Sequence, residues 1–301
     1  MYDGPIIDAH HHLWEVRNYP WIGETGKERL GGSDYSSIAQ DYLVPDLLRD
    51  FAANNVVKSV HMEAHWGGAD PVDETIAIQA MATAHGFPHA SIGAARLADP
   101  GIGAVLDRHM RASPGFRGIR DAQQYLPGNP ALQSVPRADT FLSAECRRGV
   151  AALADRDLIC EMQIFANQFG HLAALAAAFP GMRFCLTHAC LTLGDDDANF
   201  AAWRDAVAVL ARQPNVFAKA SGTHTLLRGG QRPAQYVCRQ IDVLLDAFGA
   251  DRCFFASNFP VAKMRIGYDD LVAIVKAAVF HRPAADQRAF FHDTTAAFYR
   301  L

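Results

Sequence analysis

Short apolar runs rich in β-forming residues recur along the chain, with helical segments between them. Runs of this length, bounded by turn residues, are typical of buried strands. Their mean spacing of roughly 35 residues is that of a repeating strand-helix unit. Eight runs predict strands: PIIDAH from Pro5, VVKSVHMEA from Val56, HASIGAARL from His89, FRGIRDA from Phe116, LICEMQIF from Leu158, MRFCLTHA from Met182, NVFAKASG from Asn215 and RCFFASNF from Arg252.

The segments between these runs have helical spacing and helix end signals. Helices are predicted over residues 72–86, 167–181 and 233–249, with a last one from 285 to 301. Eight strands alternating with helices predict an α/β protein, a (β/α)8 TIM barrel formed as one domain by residues 1–301. A doubly wound open sheet is the alternative, but no G-x-G-x-x-G follows an early strand.

Three long loops follow predicted strands, over residues 13–42, 122–142 and 223–232. In a barrel, loops that follow strands lie at the C-terminal mouth, where active sites of this fold are built. We therefore expect the three loops to surround a site.

Composition removes several classes of function. The net charge of -4 provides no basic surface for nucleic acid. No apolar stretch is long enough to span a membrane, and the first residues lack the order of a signal peptide. The six cysteines show no C-x-x-C spacing, which predicts reduced thiols and a cytoplasmic location. The sequence leaves the oligomeric state open.

Polar and charged residues interrupt the apolar strands near their C-terminal ends. Burying such groups is costly unless they are paired or bind something, so a shared polar site explains them together. In chain order they are His10 and His12; His61 and Glu63; Arg96; Arg117, Arg120 and Asp121; Glu161 and Gln163; His188; Lys219 and Ser221; Ser257 and Asn258.

The first strand ends in three consecutive histidines. Strand alternation predicts that Asp8, His10 and His12 share one face and that His11 points to the outer layer. Two imidazoles two residues apart can hold one divalent metal ion. The alternative interpretations of this motif are a histidine pair that only forms hydrogen bonds and a fragment of a purification tag.

Taken together, DAHHHLW, VHMEA, RGIR, QIFANQ, LTHA, KASG, ASNFPV and the terminal FFHDTTAAFYRL resemble the amidohydrolase superfamily. They are most similar to its lactonase-like amidohydrolase-2 branch, which includes L-fuconolactonase and 2-pyrone-4,6-dicarboxylate lactonase. The resemblance implies that His10, His12 and His188 surround one divalent metal ion, with zinc expected, or the substrate. The family's strand 8 aspartate is replaced by Asn258.

This replacement affects the chemistry. An aspartate there binds metal and takes the proton of the attacking water, whereas an amide is a weak ligand and has no basic lone pair near neutral pH. We expect Glu63 to be the anionic fourth ligand or the base, unless it only pairs with a neighbouring Lys or Arg. Metal-independent action, with the histidines as hydrogen-bond donors, is also open.

The remaining candidates concern substrate binding. Arg117 and Arg120 are expected to hold a carboxylate or developing charge, although a structural ion pair is the alternative. Lys219 is expected to polarise a carbonyl or hold an anion, with Ser221 on the same face. Gln163 is expected to hydrogen-bond in the mouth. Two loop aromatics, Trp14 and Trp66, either wall a pocket or anchor their loops.

We expect a hydrolase that opens a lactone of a sugar acid or small carboxylate by metal-activated water. The expected partner is a small anionic or sugar-derived molecule. A nonoxidative decarboxylase of aromatic acids and a noncatalytic barrel that binds a small acid are the two alternatives.

Overall fold

One eight-stranded parallel sheet follows chain order from β1 to β8 in the computed structural model. Each strand carries buried aliphatic or aromatic side chains, as expected for strands that are covered on both faces. The structure describes residues 1–24, 26–27, 29, 32, 34–188, 196–222 and 234–301. The strands are β1 Ile6–His11, β2 Val56–Met62, β3 Ala90–Ala94, β4 Phe116–Ala122, β5 Ile159–Gln163, β6 Phe184–Leu186, β7 Val216–Ala220 and β8 Cys253–Phe255.

Residues that directly follow β8 bring the sheet back to β1. The backbone N–H of Asn258 donates to the carbonyl of His10 at 2.8 Å, and that of His12 donates to Phe259 at 2.7 Å. The sequential strand order and this contact confirm the predicted (β/α)8 barrel and exclude the doubly wound sheet.

The helices lie between the strands and after β8. Those of regular α type are α1 Pro20–Gly23, α2 Val44–Phe51, α3 Val72–His85, α4 Ile102–Ala112, α5 Ala144–Ala154, α6 Phe169–Ala178, α7 Asp197–Leu210, α8 Ala234–Phe248, α9 Tyr268–Val279, α10 Ala284–Arg288 and α11 Thr294–Tyr299. Left-handed Gly86 and Gly249 end α3 and α8, as their sequence signals predict. The predicted last helix is divided, because the π-helical turn Ala289–Asp293 separates α10 from α11.

The C-terminal segment closes the N-terminal end of the barrel. Phe298 and Tyr299 of α11 pack into an apolar cluster with inward residues such as Val60, Ile92 and Phe254. At the start of β4, Arg117 donates through Nε to the carbonyl of Tyr299 at 2.8 Å. In the described part of the chain the interior of the barrel is therefore filled at this end, and the strand-end histidines lie at the opposite end.

The long loop over residues 122–142 lies in the described part of the chain, as does the loop over 13–42 apart from residues 25, 28, 30, 31 and 33. The loop after β1 contains α1 and the short 3-10 helices Val16–Asn18 and Ser36–Ile38, and the loop after β4 contains Pro130–Leu132 and Thr140–Leu142. The loop predicted over 223–232 lies outside the described residues. Among the described helices, none has the length and apolar character that crossing a membrane requires.

Candidate active site

A β-bulge in β1 determines the directions in which its side chains point. Asp8 aligns with Ser59 and His11 with His61, so three residues of β1 span two of β2. Asp8 accepts a hydrogen bond from Tyr268 of α9 at 3.2 Å, and His11 Nε2 lies 2.9 Å from Ser59 Oγ. The prediction that His11 points outward is confirmed. The prediction that Asp8 shares the face of His10 and His12 is wrong, because the bulge reverses the alternation between them.

His10, His12 and His188 meet inside the mouth of the barrel. The Nε2 atoms of His10 and His12 are 3.2 Å apart, and the ring centroids of His10 and His188 are separated by 4.7 Å. His12 Nδ1 lies 2.9 Å from the carbonyl oxygen of Met62. A carbonyl accepts only, so His12 carries its proton on Nδ1 and directs the Nε2 lone pair toward His10.

The surroundings of all three imidazoles favour their neutral form. Burial lowers the pKa of each ring well below its usual value. The positive charge of Arg120 lowers the pKa of all three rings further, and that of Lys219 lowers the pKa of His10 and His188. Neutral imidazole is the form that binds metal ions and accepts protons. The cluster therefore has the protonation state that either role requires.

Three side chains around this cluster sit on strained backbone. His65, His188 and Asn258 have φ of 59°, 58° and 62°, in the left-handed region that non-glycine residues seldom adopt. Such strain concentrates at functional sites, where the surrounding structure enforces it. Gly222 supports one of them, because a Cβ added there would lie 2.8 Å from His188 Nδ1.

Asn258 lies where the predicted ring has its strand 8 position. Its Oδ1 is 3.3 Å from His12 Nε2. Two nitrogens bound to one tetrahedral zinc ion at about 2.05 Å lie roughly 3.3 Å apart, which is close to the His10–His12 separation. The donor set therefore fits a divalent metal, although no described group of three His, Cys, Asp or Glu side chains is arranged as a complete metal site.

Glu63 is bound to Arg120 instead of to the histidines. Its Oε1 accepts from Arg120 Nε at 2.5 Å, and its Oε2 accepts from the backbone N–H of His65 at 2.8 Å. Burial favours the neutral acid, but the charges of Arg120 and His65 outweigh it and lower the pKa of Glu63 to about 2. This geometry does not support Glu63 as ligand or base, and it matches the ion-pair alternative.

Lys219 is also paired within the barrel. Its Nζ donates to both carboxylate oxygens of Glu161, at 2.9 and 2.7 Å, and Tyr299 donates to Glu161 Oε1 at 2.5 Å. All three side chains are fully buried. Lys219 does not line the cavity described below, so this geometry does not support its predicted contact with a carbonyl or anion of the substrate.

Ser221 contacts one of the histidines directly, and Gln163 lines the cavity beside them. Ser221 Oγ accepts from the backbone N–H of His188 at 3.0 Å and lies 3.3 Å from its Nδ1, so Ser221 positions that ring. Gln163 reaches the cavity, and its buried Oε1 has no hydrogen-bond partner among the described residues.

Arg117, Trp14 and Trp66 are not brought into this cluster. Arg117 binds the carbonyls of Tyr299 and Pro114 at the N-terminal end of the barrel, which contradicts its predicted contact with substrate. Trp14 is buried behind His12 and donates to the carbonyl of Gln40, so it anchors its loop. Trp66 lines a neighbouring cavity.

A cavity of about 230 Å³ opens above the cluster. His10 lies behind it, in contact with His12 and His188. Strand-end residues on its wall are His12, Arg120, Gln163, His188 and Asn258, and loop residues are Trp21, Arg29, Tyr35, His65, Gln124, Gln133 and Ser134. Sequence reasoning did not select Arg29, Tyr35, His65, Gln124, Gln133 or Ser134, because loop conformation has no periodic signal.

Comparison with known proteins agrees with this architecture. The family model described as amidohydrolase matches residues 7–301. The protein y4mH of Sinorhizobium fredii is 34% identical over the full length of both chains. An L-fucono-1,5-lactonase of Burkholderia multivorans is 30% identical, over 98% of this chain and 96% of its own.

A solved structure gives the same result. The crystal structure of an amidohydrolase from Burkholderia multivorans with bound zinc superposes with a TM-score of 0.82 at 28% identity, covering 99% of this chain and all of that one. The barrel and the histidines at its strand ends define the class of protein, a hydrolase of the (β/α)8 barrel fold. Within that class, the chain belongs to the amidohydrolase family.

Proposed function

We propose that this protein hydrolyses small lactones derived from sugar acids. The observation that carries the proposal is a ring of three neutral histidines beside a buried arginine, His10, His12, His188 and Arg120, at the mouth of an amidohydrolase barrel. The lactonase activity named for the relative from Burkholderia multivorans supports the choice of substrate class.

The reaction adds water to the ring ester. Water oxygen bonds to the carbonyl carbon, the ester C–O bond breaks, and the ring oxygen takes a proton to give a hydroxy acid. His188 accepts the water proton through Nε2 and returns it to the ring oxygen, while Ser221 holds the opposite side of its ring. Arg120 uses Nε and Nη2 on Glu63, so Nη1 remains to stabilise the oxyanion.

The metal belongs to this proposal as an additional group. His10 and His12 would hold a divalent ion, zinc by preference, with Asn258 as a neutral oxygen donor. When bound, such an ion supplies polarisation of the carbonyl and acidifies water. Every donor in this set is uncharged, so we expect weaker metal binding than an aspartate in place of Asn258 would give.

Acid release from a panel of lactones tests the activity. L-fucono-1,5-lactone, other aldonolactones and a pyrone lactone would be mixed with the protein and a pH indicator, because ring opening releases a proton. An H188A variant should lose at least about 100-fold in kcat/KM. If no lactone is opened, the proposal fails; carbon dioxide release from an aromatic acid would then identify the decarboxylase, and binding without turnover the noncatalytic barrel.

Metal content provides the second test, by elemental analysis and chelator competition. N258D should bind zinc at least about tenfold more tightly than the parent, since the carboxylate adds an anionic oxygen beside His12. Equal affinities of the two proteins would place the metal away from Asn258. A parent protein that has no metal and resists chelators would leave the metal-independent route.

Domain organisation and cellular compartment complete the proposal. We propose that residues 1–301 act as one domain, because the family match extends over residues 7–301. Free cysteines buried in the core, such as Cys160, Cys185 and Cys253, support a reducing compartment such as the cytoplasm.

A further inference from the structure

A second, larger cavity adjoins the active-site cavity. It measures about 740 Å³ and lies beside the segments that follow β2 and β3. Three residues, His65, Arg120 and Ala122, line both cavities. The two cavities therefore adjoin at these residues, beside the proposed reaction centre, and the His65 side chain between them is 54% exposed.

The charges that line this second cavity nearly cancel. Its lining contains three arginines and four carboxylates. Arg96 Nη1 lies 3.3 Å from Asp121, and Arg108 pairs with Asp70. The Arg96 side chain is 67% exposed and uses one nitrogen in its pair, so further N–H donors of its guanidinium can reach a bound molecule.

Trp66 adds an aromatic surface to this cavity. Its buried indole N–H has no hydrogen-bond partner among the described residues. The chain turns tightly around the ring, since a Cβ at Gly68 would lie 2.4 Å from Trp66 Nε1. Gly68 covers this N–H, so Trp66 contributes the apolar face of its indole ring to the cavity.

We propose that the second cavity binds a neutral glycosyl group attached to the lactone, so that glycosylated aldonolactones are substrates. This inference rests on the proposed lactonase function. Paired charges with spare donors and acceptors suit several hydroxyl groups, whereas a cavity without a strong net charge gives no advantage to an ion. The first cavity alone is smaller than the roughly 300–1,000 Å³ of ordinary ligand pockets, and the second extends it into that range.

The test compares D-glucono-1,5-lactone with cellobiono-1,5-lactone, which carries a glucosyl group on the same ring. Ala95 lines the second cavity but not the first, so A95W fills the proposed glycosyl site. Ala154 is exposed at the end of α5, and A154W is the matched control. We expect A95W to lower kcat/KM at least about tenfold for the disaccharide lactone and less than about twofold for the monosaccharide lactone, with A154W unchanged on both.

Calorimetric binding of cellobionate and gluconate separates this inference from the proposed function. If neither lactone is opened, the lactonase proposal fails, and tighter binding of cellobionate that A95W abolishes would still support the glycosyl site. The inference is overturned if gluconolactone is opened and cellobionolactone is not, if A95W affects both lactones equally, or if cellobionate binds no better than gluconate.

Discussion

The buried Lys219–Glu161 pair predicts a large and specific change in stability. Both side chains are fully buried inside the barrel, and Tyr299 gives Glu161 its third hydrogen bond. In K219M, the buried Glu161 carboxylate would lose its positively charged partner and keep only the hydrogen bond from Tyr299. Removing one partner of a buried pair costs about 3–5 kcal/mol in the free energy of unfolding, because desolvation of the remaining charge is no longer offset.

Removing all the polar groups of this cluster together gives the opposite expectation. The triple variant K219M/E161M/Y299F leaves no unpaired group and keeps similar side-chain volumes. Such replacements are neutral or stabilising by up to about 4 kcal/mol in other proteins. The triple variant should therefore be more stable than K219M, although it contains two more substitutions.

Urea denaturation followed by circular dichroism would measure both variants, and lactonase assays would be run on the folded proteins. A K219M protein whose free energy of unfolding is within about 1 kcal/mol of the parent's would refute the reasoning, because burying a carboxylate without a positively charged partner should destabilise the fold by more than that. A stable triple variant with normal activity would show that Lys219 is structural. A stable triple variant without activity would show that the pair also positions His10 and His188.

Three further predictions concern single residues. R120M should lower lactone kcat/KM at least about 100-fold, whereas R117M should change kcat/KM less than about threefold, because only Arg120 reaches the cavity; equal losses would contradict this assignment. G222A should lower kcat/KM at least about tenfold by displacing His188, with the fold intact by circular dichroism; an unchanged rate would show that the ring can shift without loss. Burial and the charge of Glu63 raise the pKa of Glu74 from 4.5 to about 8. Between these two pH values the folded protein holds a proton that the unfolded chain releases. The folded state is therefore stabilised by this proton at low pH, and the stabilisation is lost as pH rises from about 4.5 through about 8. E74Q should thus gain at least about 1 kcal/mol over the parent at pH 9 in urea titrations and little at pH 4.5; a gain independent of pH would refute the shift.

Periodicity was sufficient for the barrel because each strand and helix repeats a local pattern. The number and order of strands, the loops at the mouth and the meeting of His10, His12 and His188 all depend on which end of a strand a residue occupies. That information is present in the sequence. The side to which Asp8 points is not, because a single extra residue in β1 reverses alternation without changing the composition of the strand.

Pairing between strands was the second feature that the sequence could not supply. Glu63 and Arg120 are far apart in the chain, as are Glu161 and Lys219, and each charge taken alone resembles a catalytic group. Arg117 and Arg120 show the same difficulty within one strand. Alternation places them on opposite faces, but only the three-dimensional structure shows that Arg117 binds the C-terminal backbone.

These pairs also determine how the Asn258 position affects the site. Arg120 neutralises Glu63 and Lys219 neutralises Glu161, so neither carboxylate leaves a net negative charge beside the histidines. The residue at position 258 therefore decides the charge of the ring, and Asn258 keeps it neutral. A neutral ring binds a divalent ion less strongly than an anionic one, but it also does not repel the carboxylate that ring opening creates. The same substitution that weakens metal binding thus lets the site hold an anionic substrate or product more tightly than an aspartate there would.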